Sequence, residues 1–296
     1  MMDHKNFSQT LEAIIKSKYN SVKYKKLWDQ LKEEFMISNS VPNHLIILLK
    51  VISKYYNSKD IFILDHGCGG CRTIFYLILL GYKNVHGVDV NNSEDKKEYY
   101  KNINHLLKIA LDEKNDQEDR IKIYDGNKLP YKDKFFDFIF SQQVIEHLNE
   151  KEFRNFIKEE NRTLINESIV YHQIPHKLVP TDTHTQSWFI HYLPRKVFIW
   201  FFKIIRNSKK VHFIENDLFL RYTWNIKNTF LKSFDSYKVI NHWKINIFAN
   251  NGEFSEFSSV IRKSIMLIDK IPFFGKFLSK ILSYFLQLEI IFLKKS

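Results

Sequence analysis

Apolar and polar positions along the chain follow two periods, one typical of strands and one typical of helices. Short apolar runs predict five strands, at 60–65, 84–89, 121–124, 136–141 and 167–174. Spacings of three and four residues predict the helices between them, at 43–57, 71–81, 94–113 and 150–163. Strands that alternate with helices predict a mostly parallel sheet with right-handed crossovers, so the pattern favours a doubly wound α/β fold.

The turn after the first predicted strand is rich in glycine and begins with an acid. It reads Asp-His-Gly-Cys-Gly-Gly from Asp65 to Gly70, and the second predicted strand ends in Asp89 and Val90. Glycines in such a turn let backbone N–H groups approach a ligand, and a carboxylate after the second strand accepts hydrogen bonds from ribose hydroxyls. The two segments together predict a binding site for an adenosyl group.

The spacing of the glycines distinguishes between nucleotide cofactors. A dinucleotide loop reads G-x-G-x-x-G, whereas this turn carries Gly67, Gly69 and Gly70. The carboxylate of Asp65 would repel a pyrophosphate but attract an ammonium or sulfonium group. The sequence contains no G-x-x-x-x-G-K-[ST] phosphate loop. An NAD-dependent oxidoreductase stays as an alternative, which Asp65 and the missing third glycine disfavour.

A third segment, 121–147, completes the resemblance to a known family. Asp125 and Gly126 are followed by Leu-Pro, by Phe-Asp, by an apolar strand that ends in Ser141, and by the pair Glu146-His147. This order resembles small-molecule class I S-adenosylmethionine-dependent methyltransferases related to the enzymes of ubiquinone and menaquinone methylation. The resemblance covers roughly residues 60–175.

The resemblance implies a Rossmann-like fold, methyl transfer and S-adenosyl-L-methionine as the cofactor. On the matching positions, Asp65 would hold the amino end of the methionine part, Asp89 the ribose, and Asp125 with Gly126 the adenine edge. The cofactor-binding candidates are Asp65, Gly67, Gly69, Asp89, Val90, Asp125, Gly126 and Ser141. Cys71 stands where the family usually has a glycine, so a degenerate, non-catalytic binding module stays as a second alternative.

Three parts are expected along the chain: an N-terminal helical segment 1–44, a methyltransferase domain 45–250 and a C-terminal helical segment 251–296. Within the domain, residues 175–235 are expected to form a helical cap insertion, and 237–248 a further strand. Ligands of open α/β sheets bind at the carboxyl ends of the strands, so an insertion after the fifth strand should set acceptor specificity. The cap resembles bacterial methyltransferases of surface-polysaccharide and lipid-linked glycan synthesis.

Histidines are the candidate catalytic residues. A neutral imidazole can take the proton of an attacking hydroxyl, which predicts O-methylation of a small molecule, a sugar or a lipid-linked glycan. The candidates are His147, His176 and His184, each of which also has the ordinary interpretation of a structural histidine. No metal site is predicted, because no predicted strand or helix presents the histidines together. Cys68 and Cys71 are interpreted as small residues of a tight turn in a reducing cytoplasm.

The net charge of +12 is scattered along the chain rather than gathered in a nucleic-acid-binding module. The N/D/S-P-P-Y/F tetrapeptide of base-amino methyltransferases is missing after the fourth predicted strand, which argues against nucleic acid as the acceptor. Residues 195–210 and 271–296 mix apolar side chains with lysines. We expect 271–296 to form an amphipathic helix that either lies on an anionic membrane surface or packs on the domain or in a homodimer. No signal peptide is visible.

Overall fold

The computed structural model describes residues 43–90, 93–111, 118–182, 184–244, 267–268, 271–272 and 274–295. The predicted N-terminal helices over 5–35 lie outside these residues, as does most of the stretch 245–270.

Strands and helices alternate from Asn43 to Ile174, except that no helix separates the third and fourth strands, as the hydrophobic pattern predicts. The elements of this part are α1 (Asn43–Tyr55), β1 (Ile63–His66), α2 (Arg72–Leu79), β2 (Val85–Asp89), α3 (Glu94–Ala110), β3 (Ile121–Ile123), β4 (Phe136–Gln142), α4 (Glu150–Thr163) and β5 (Leu164–Ile174). The later elements are β6 (Thr181–Asp182), β7 (Ser187–Trp188), α5 (Arg195–Ile204), α6 (Ser208–Asn216), α7 (Thr223–Phe230), β8 (Ser236–Val239), α8 (Phe274–Ser283) and β9 (Leu288–Lys294).

The main sheet has seven strands in the order β3-β2-β1-β4-β5-β9-β8. β1 runs parallel to β2 and to β4, and β2 runs parallel to β3. β9 is antiparallel to both of its neighbours, β5 and β8. The strand order reverses between β1 and β4, which is the topological switch point of a doubly wound sheet. The predicted fold class, a Rossmann-like and mostly parallel α/β sheet, is confirmed.

The chain divides into two compact units. The first unit runs to Phe140 and includes Thr163–Ile165, and the second comprises Ser141–Arg162 and Asn166 onward. Buried apolar residues of α1, α2, β1, β2 and β4 form the interior of the first unit; they include Leu48, Ile63, Phe75, Val88 and Phe138. In the second unit a smaller cluster lies in the cap, where Phe198, Phe202, Ile214 and Leu218 pack together.

The prediction of a terminal helix over 271–296 is wrong beyond Ser283. α8 ends there, and Leu288–Lys294 form β9, which is hydrogen-bonded between β5 and β8. The residues of β9 are buried, apart from Leu293, which is partly exposed. Five of these seven residues are apolar, a composition that fits a buried strand as well as a helix. Pairing on both sides satisfies the backbone groups of the segment only as a strand. The terminal segment therefore belongs to the sheet and is not a separate helical part.

The predicted strand over 237–248 is also shorter than expected. β8 ends at Val239, a helical turn follows at 242–244, and 245–248 lie outside the described residues. Among the described residues, no helix is both long and apolar enough to cross a bilayer.

Candidate active site

The glycine turn after β1 is held against the end of β2 by backbone hydrogen bonds. The N–H groups of Gly67 and Cys68 both donate to the carbonyl oxygen of Val88, at 2.8 and 3.0 Å. Gly67 and Gly69 have φ of 93° and 49°, in the left-handed region that favours glycine. A Cβ atom placed on Gly69 would meet no heavy atom within 4 Å, so the turn has an open side at this residue.

Asp89, at the end of β2, faces this turn. Its Oδ2 atom accepts hydrogen bonds from the Gly69 N–H at 3.0 Å and from the Tyr100 hydroxyl at 2.9 Å. The carboxylate is thereby fixed beside the open side of Gly69. This arrangement fits the adenosyl cofactor that the sequence predicts, because a fixed carboxylate can accept hydrogen bonds from ribose hydroxyls where the backbone leaves room for them.

One face of α3 supports the turn, and the sequence analysis did not identify it. The Tyr100 hydroxyl also lies 2.9 Å from the Gly69 carbonyl oxygen, and the Tyr99 hydroxyl donates to the Gly70 carbonyl oxygen at 2.9 Å. The Lys96 ammonium lies 3.4 Å from the Gly69 carbonyl oxygen. The only available signal was the spacing of three and four residues, which places Lys96, Tyr99 and Tyr100 on one helical face.

Asp65 is buried at the end of β1. Burial raises its pKa well above the usual range, and the nearby charge of Asp89 raises it further. Two carboxyl groups in such surroundings stabilise a cation placed between or beside them. An ammonium or sulfonium group is therefore the kind of ligand that this pair fits.

Val90 and Gly126 lie next to each other after β2 and β3. A Cβ atom on Gly126 would lie 3.5 Å from Val90 Cγ1, and Val90 is exposed. The neighbouring Asp125 carboxylate is turned back on its own loop. The Asn127 side-chain amide donates to its Oδ2 atom at 3.1 Å, and the backbone N–H groups of Asn127 and Lys128 donate to its Oδ1 atom at 2.9 and 3.2 Å. These hydrogen bonds, the side-chain one first, lower its pKa. Asp125 thus holds the loop in shape, while Val90 and Gly126 offer an apolar shelf.

Cys71 adopts the conformation that explains why glycine is usual at this position. Its φ is 60°, in the left-handed region, and it immediately precedes α2. The side chain is buried, with its Sγ atom 3.8 Å from that of Cys68, and both thiols are free. A left-handed non-glycine residue costs about 1–2 kcal/mol, which the buried packing of the thiol must offset.

The remaining candidates lie in the second unit. Among them, the Ser141 side chain forms a hydrogen bond within the protein. Its hydroxyl lies 2.8 Å from His172 Nδ1, and His172 Nε2 lies 3.3 Å from a carboxylate oxygen of the buried Glu160. His176 is likewise occupied. Its Nε2 atom pairs with the Leu286 carbonyl oxygen at 2.7 Å, and its Nδ1 atom accepts the Leu178 N–H at 3.2 Å. Burial lowers the pKa of His176 to about 4.

The other two candidate histidines meet at one buried carboxylate. Glu146, in the turn before α4, has no exposed side-chain surface, and its Oε1 atom lies 4.0 Å from His147 Nε2 and 3.8 Å from His184 Nε2. The two imidazole rings are 5.0 Å apart between centroids. Sequence reasoning proposed both histidines separately and noted Glu146 only as part of a family pattern. It did not propose Glu146 as a site residue, because its burial depends on the fold of the cap.

Residues 64–172 match the family model described as "Methyltransferase domain". No curated protein matches the chain.

Several solved structures are similar to this chain at low identity. A putative sarcosine dimethylglycine methyltransferase from Galdieria sulphuraria is 15% identical over 85% of this chain and 84% of that one, with a TM-score of 0.45. An S-adenosylmethionine-dependent methyltransferase from Mesorhizobium loti is 13% identical over 82% and 94%, with a TM-score of 0.43. A phosphoethanolamine N-methyltransferase 2 from Haemonchus contortus is 14% identical over 100% and 61%, with a TM-score of 0.46.

The family match covers the glycine turn, Asp89, the segment around Asp125 and Gly126, and the pair Glu146-His147. This part of the chain is a methyltransferase domain of the class I, S-adenosylmethionine-dependent type. Residues 64–172 therefore form a methyltransferase domain, and its sheet order and glycine turn fit S-adenosyl-L-methionine as the cofactor.

Proposed function

We propose that this methyltransferase methylates a hydroxyl oxygen of a small molecule, a sugar or a lipid-linked glycan. S-Adenosyl-L-methionine supplies the methyl group as a sulfonium, so the protein has to bind it, orient the acceptor and let the hydroxyl proton leave. The cap insertion over 175–235 is proposed to determine which acceptor is bound.

The cofactor part of this proposal assigns a role to each group around the glycine turn. Asp89 would accept the ribose hydroxyls, since Gly69 and Tyr100 already fix its carboxylate. Asp65 would receive the ammonium of the methionine part, which removes the cost of burying an unpaired acid. Val90 and Gly126 would receive the adenine.

The proposal of a hydroxyl acceptor rests mainly on the tautomer of His147. Its Nδ1 atom lies 2.7 Å from the carbonyl oxygen of Asp217, so Nδ1 must carry the proton and donate it there. The Nε2 atom then keeps its lone pair, and the side chain is 36% exposed. A hydroxyl must lose a proton on methylation, and His147 with the neighbouring His184 provides lone pairs that promote this loss.

The cofactor assignment is tested with Asp89→Ala and a matched control, Asp95→Ala, on the exposed face of α3. Each hydrogen bond lost is worth roughly 0.5–1.5 kcal/mol, and more when a charge takes part, so S-adenosylmethionine should bind at least about tenfold more weakly to Asp89→Ala. Calorimetric titration measures this change, and circular dichroism checks the fold. Equal affinities for both variants would overturn the role of Asp89.

The acceptor is identified by incubating the purified protein and labelled S-adenosylmethionine with glycan and lipid extracts from cells that lack the gene. Mass spectrometry should find the label on an oxygen. Label only on nitrogen or carbon would overturn the hydroxyl proposal. With the acceptor in hand, His147→Ala and His184→Ala should lower kcat while cofactor affinity stays unchanged, whereas His212→Ala, on the exposed side of α6, should change neither.

We further propose that α5 and α8 touch an anionic membrane surface that carries the acceptor. Trp200 on α5 is 60% exposed, and Phe274 and Phe277 on α8 are each 62% exposed. Lysines accompany them, and each basic residue near an anionic surface contributes about 1 kcal/mol. Exposed apolar side chains next to lysines support peripheral contact.

Co-sedimentation with phosphatidylglycerol vesicles tests this contact on the full chain. We expect binding that weakens with salt and is reduced by Phe277→Ser, but not by Tyr237→Ser, a matched change of an exposed aromatic on β8. An intact protein that ignores the vesicles would overturn the proposal. If Phe277→Ser instead converts a dimer to a monomer in analytical ultracentrifugation, the aromatic face of α8 is a homodimer contact.

A further inference from the structure

Glu146 is a buried carboxylate near two histidines. Neither of its oxygens accepts a hydrogen bond from another residue, although its side chain is completely inaccessible to solvent. No lysine or arginine in the described part of the chain forms an ion pair with it; the nearby Arg221 donates instead to the carbonyl oxygens of Ile145, Phe219 and Leu148. A buried polar group in this state is costly, so its environment implies a missing cationic or hydrogen-bonding partner.

Two imidazole nitrogens point at the same place. One donor atom from each of Glu146, His147 and His184 lies within 4.8 Å of the others, and His184 Nε2 is itself buried without a hydrogen-bond partner. Around a tetrahedral zinc ion with bonds of about 2.0–2.2 Å, ligand atoms lie about 3.4 Å apart. The observed separations of 3.8 and 4.0 Å from the carboxylate are therefore a few tenths of an ångström wider than a loaded site, a gap that small side-chain rotations close.

The surroundings prepare the ligands for a metal ion. The hydrogen bond from His147 Nδ1 to the Asp217 carbonyl oxygen fixes the tautomer with a lone pair on Nε2, which is the usual arrangement behind a metal-bound histidine. Glu146 is completely buried beside the His184 ring, so water does not compete for its oxygens.

We propose that Glu146, His147 and His184 bind one divalent transition-metal ion of the zinc type. Two imidazoles and a carboxylate are donors that suit zinc, cobalt, iron and manganese, and they suit magnesium and calcium less well. Three protein ligands leave at least one coordination position open, as in metal sites that take part in reactions. This use of the site rests on the proposed hydroxyl acceptor: a hydroxyl bound at the open position becomes more acidic and loses its proton more readily.

Metal binding is measured on the full chain, without reference to activity. The protein is stripped with a chelator, dialysed, and titrated with Zn²⁺ in competition with a chromogenic chelator; Co²⁺ is added separately for its visible spectrum. We expect one equivalent per chain, a tetrahedral or five-coordinate Co²⁺ spectrum, a Tm that rises with Zn²⁺, and at least tenfold weaker binding of Mg²⁺.

Three variants locate the ion. Glu146→Gln, His147→Ala and His184→Ala should each weaken Zn²⁺ binding by a factor of about 100 or more, whereas His212→Ala should leave it unchanged, since removing even an outer-shell partner typically costs 10–100-fold. His147 is partly exposed, so His147→Ala is the variant whose folding is least at risk. Absence of a stoichiometric Zn²⁺ site overturns the proposal, and so does binding that His212→Ala abolishes but His147→Ala does not.

The outcome is separable from that of the proposed function. If the protein methylates a hydroxyl with the chelator present and binds no Zn²⁺, the proposed hydroxyl acceptor stands and only the metal site is refuted. If the protein binds Zn²⁺ through these three residues but methylates only nitrogen or carbon, the metal site stands and the hydroxyl acceptor is refuted.

Discussion

Lys244 and Glu289 form an ion pair that is completely buried in the second unit. The Lys244 ammonium lies 2.7 Å from Glu289 Oε1, with side-chain exposures of 1% and 0%. The carboxylate also accepts hydrogen bonds from the Tyr171 hydroxyl and from Gln173 Nε2, the latter at 2.8 Å. Replacing Lys244 by Met would leave this carboxylate buried without its counter-ion.

The cost of Lys244→Met follows from that isolation. Removing one partner of a buried ion pair typically destabilises a protein by about 3–5 kcal/mol, a large share of the roughly 5–15 kcal/mol that holds a domain folded. Burial raises the pKa of Glu289, and Lys244 opposes that rise. Without the lysine the carboxyl should protonate in the folded state more readily than in the unfolded state. Lowering the pH from 7 to 5 should therefore reduce the stability that the variant loses relative to the parent protein.

Urea unfolding followed by circular dichroism measures these differences. Lys238→Met, on the exposed side of β8, is the matched control and should change the free energy of unfolding by less than about 0.5 kcal/mol. The double variant Lys244→Met with Glu289→Gln should cost clearly less than the sum of the single variants, because no unpaired charge stays buried. The reasoning would be refuted if the free energy of unfolding of Lys244→Met lay within about 1 kcal/mol of the parent value. It would also be refuted if the double variant lost as much as the two single variants together.

Three further predictions concern other parts of the fold. Burial, with Arg120 and Lys122, lowers the pKa of His86 to about 3. Below about pH 6.5 the unfolded chain therefore binds a proton at His86 that the folded chain does not. Compared with the parent, His86→Phe should gain up to about 2 kcal/mol of unfolding free energy at pH 5 and little at pH 8. The alanine of Gly69→Ala meets no steric clash but must adopt a φ near 49° beside the open side of the turn. We expect the variant to lose about 1–2 kcal/mol of stability and to bind S-adenosylmethionine more weakly in calorimetry. Unchanged affinity would contradict the assigned cofactor position. Truncation after Gln287 removes β9 from between β5 and β8; the cooperative thermal transition should disappear, and a soluble truncated protein with the parent Tm would contradict the observed topology.

The sequence by itself determined the nucleotide-binding half of the molecule. The strands from 60 to 141 are short apolar runs bounded by glycine, proline and charged residues, so the local pattern is enough to place them within a few residues. The cofactor-binding role proposed for the turn from Asp65 to Gly70 also follows from local sequence, because the residue types needed for positive φ and for a carboxylate at a strand end are contiguous in the chain.

Only the tertiary structure decided what depends on residues far apart in the chain. The mostly apolar segment from Leu288 to Lys294 became a strand because β5 and β8 satisfy its backbone on both sides. Glu289 found its counter-ion in Lys244. Glu146 became a candidate metal ligand because the cap brings His184 to it and leaves its oxygens without a donor. Burial, pairing and the absence of a hydrogen-bond partner are properties of a three-dimensional neighbourhood, and no periodicity along the sequence encodes them.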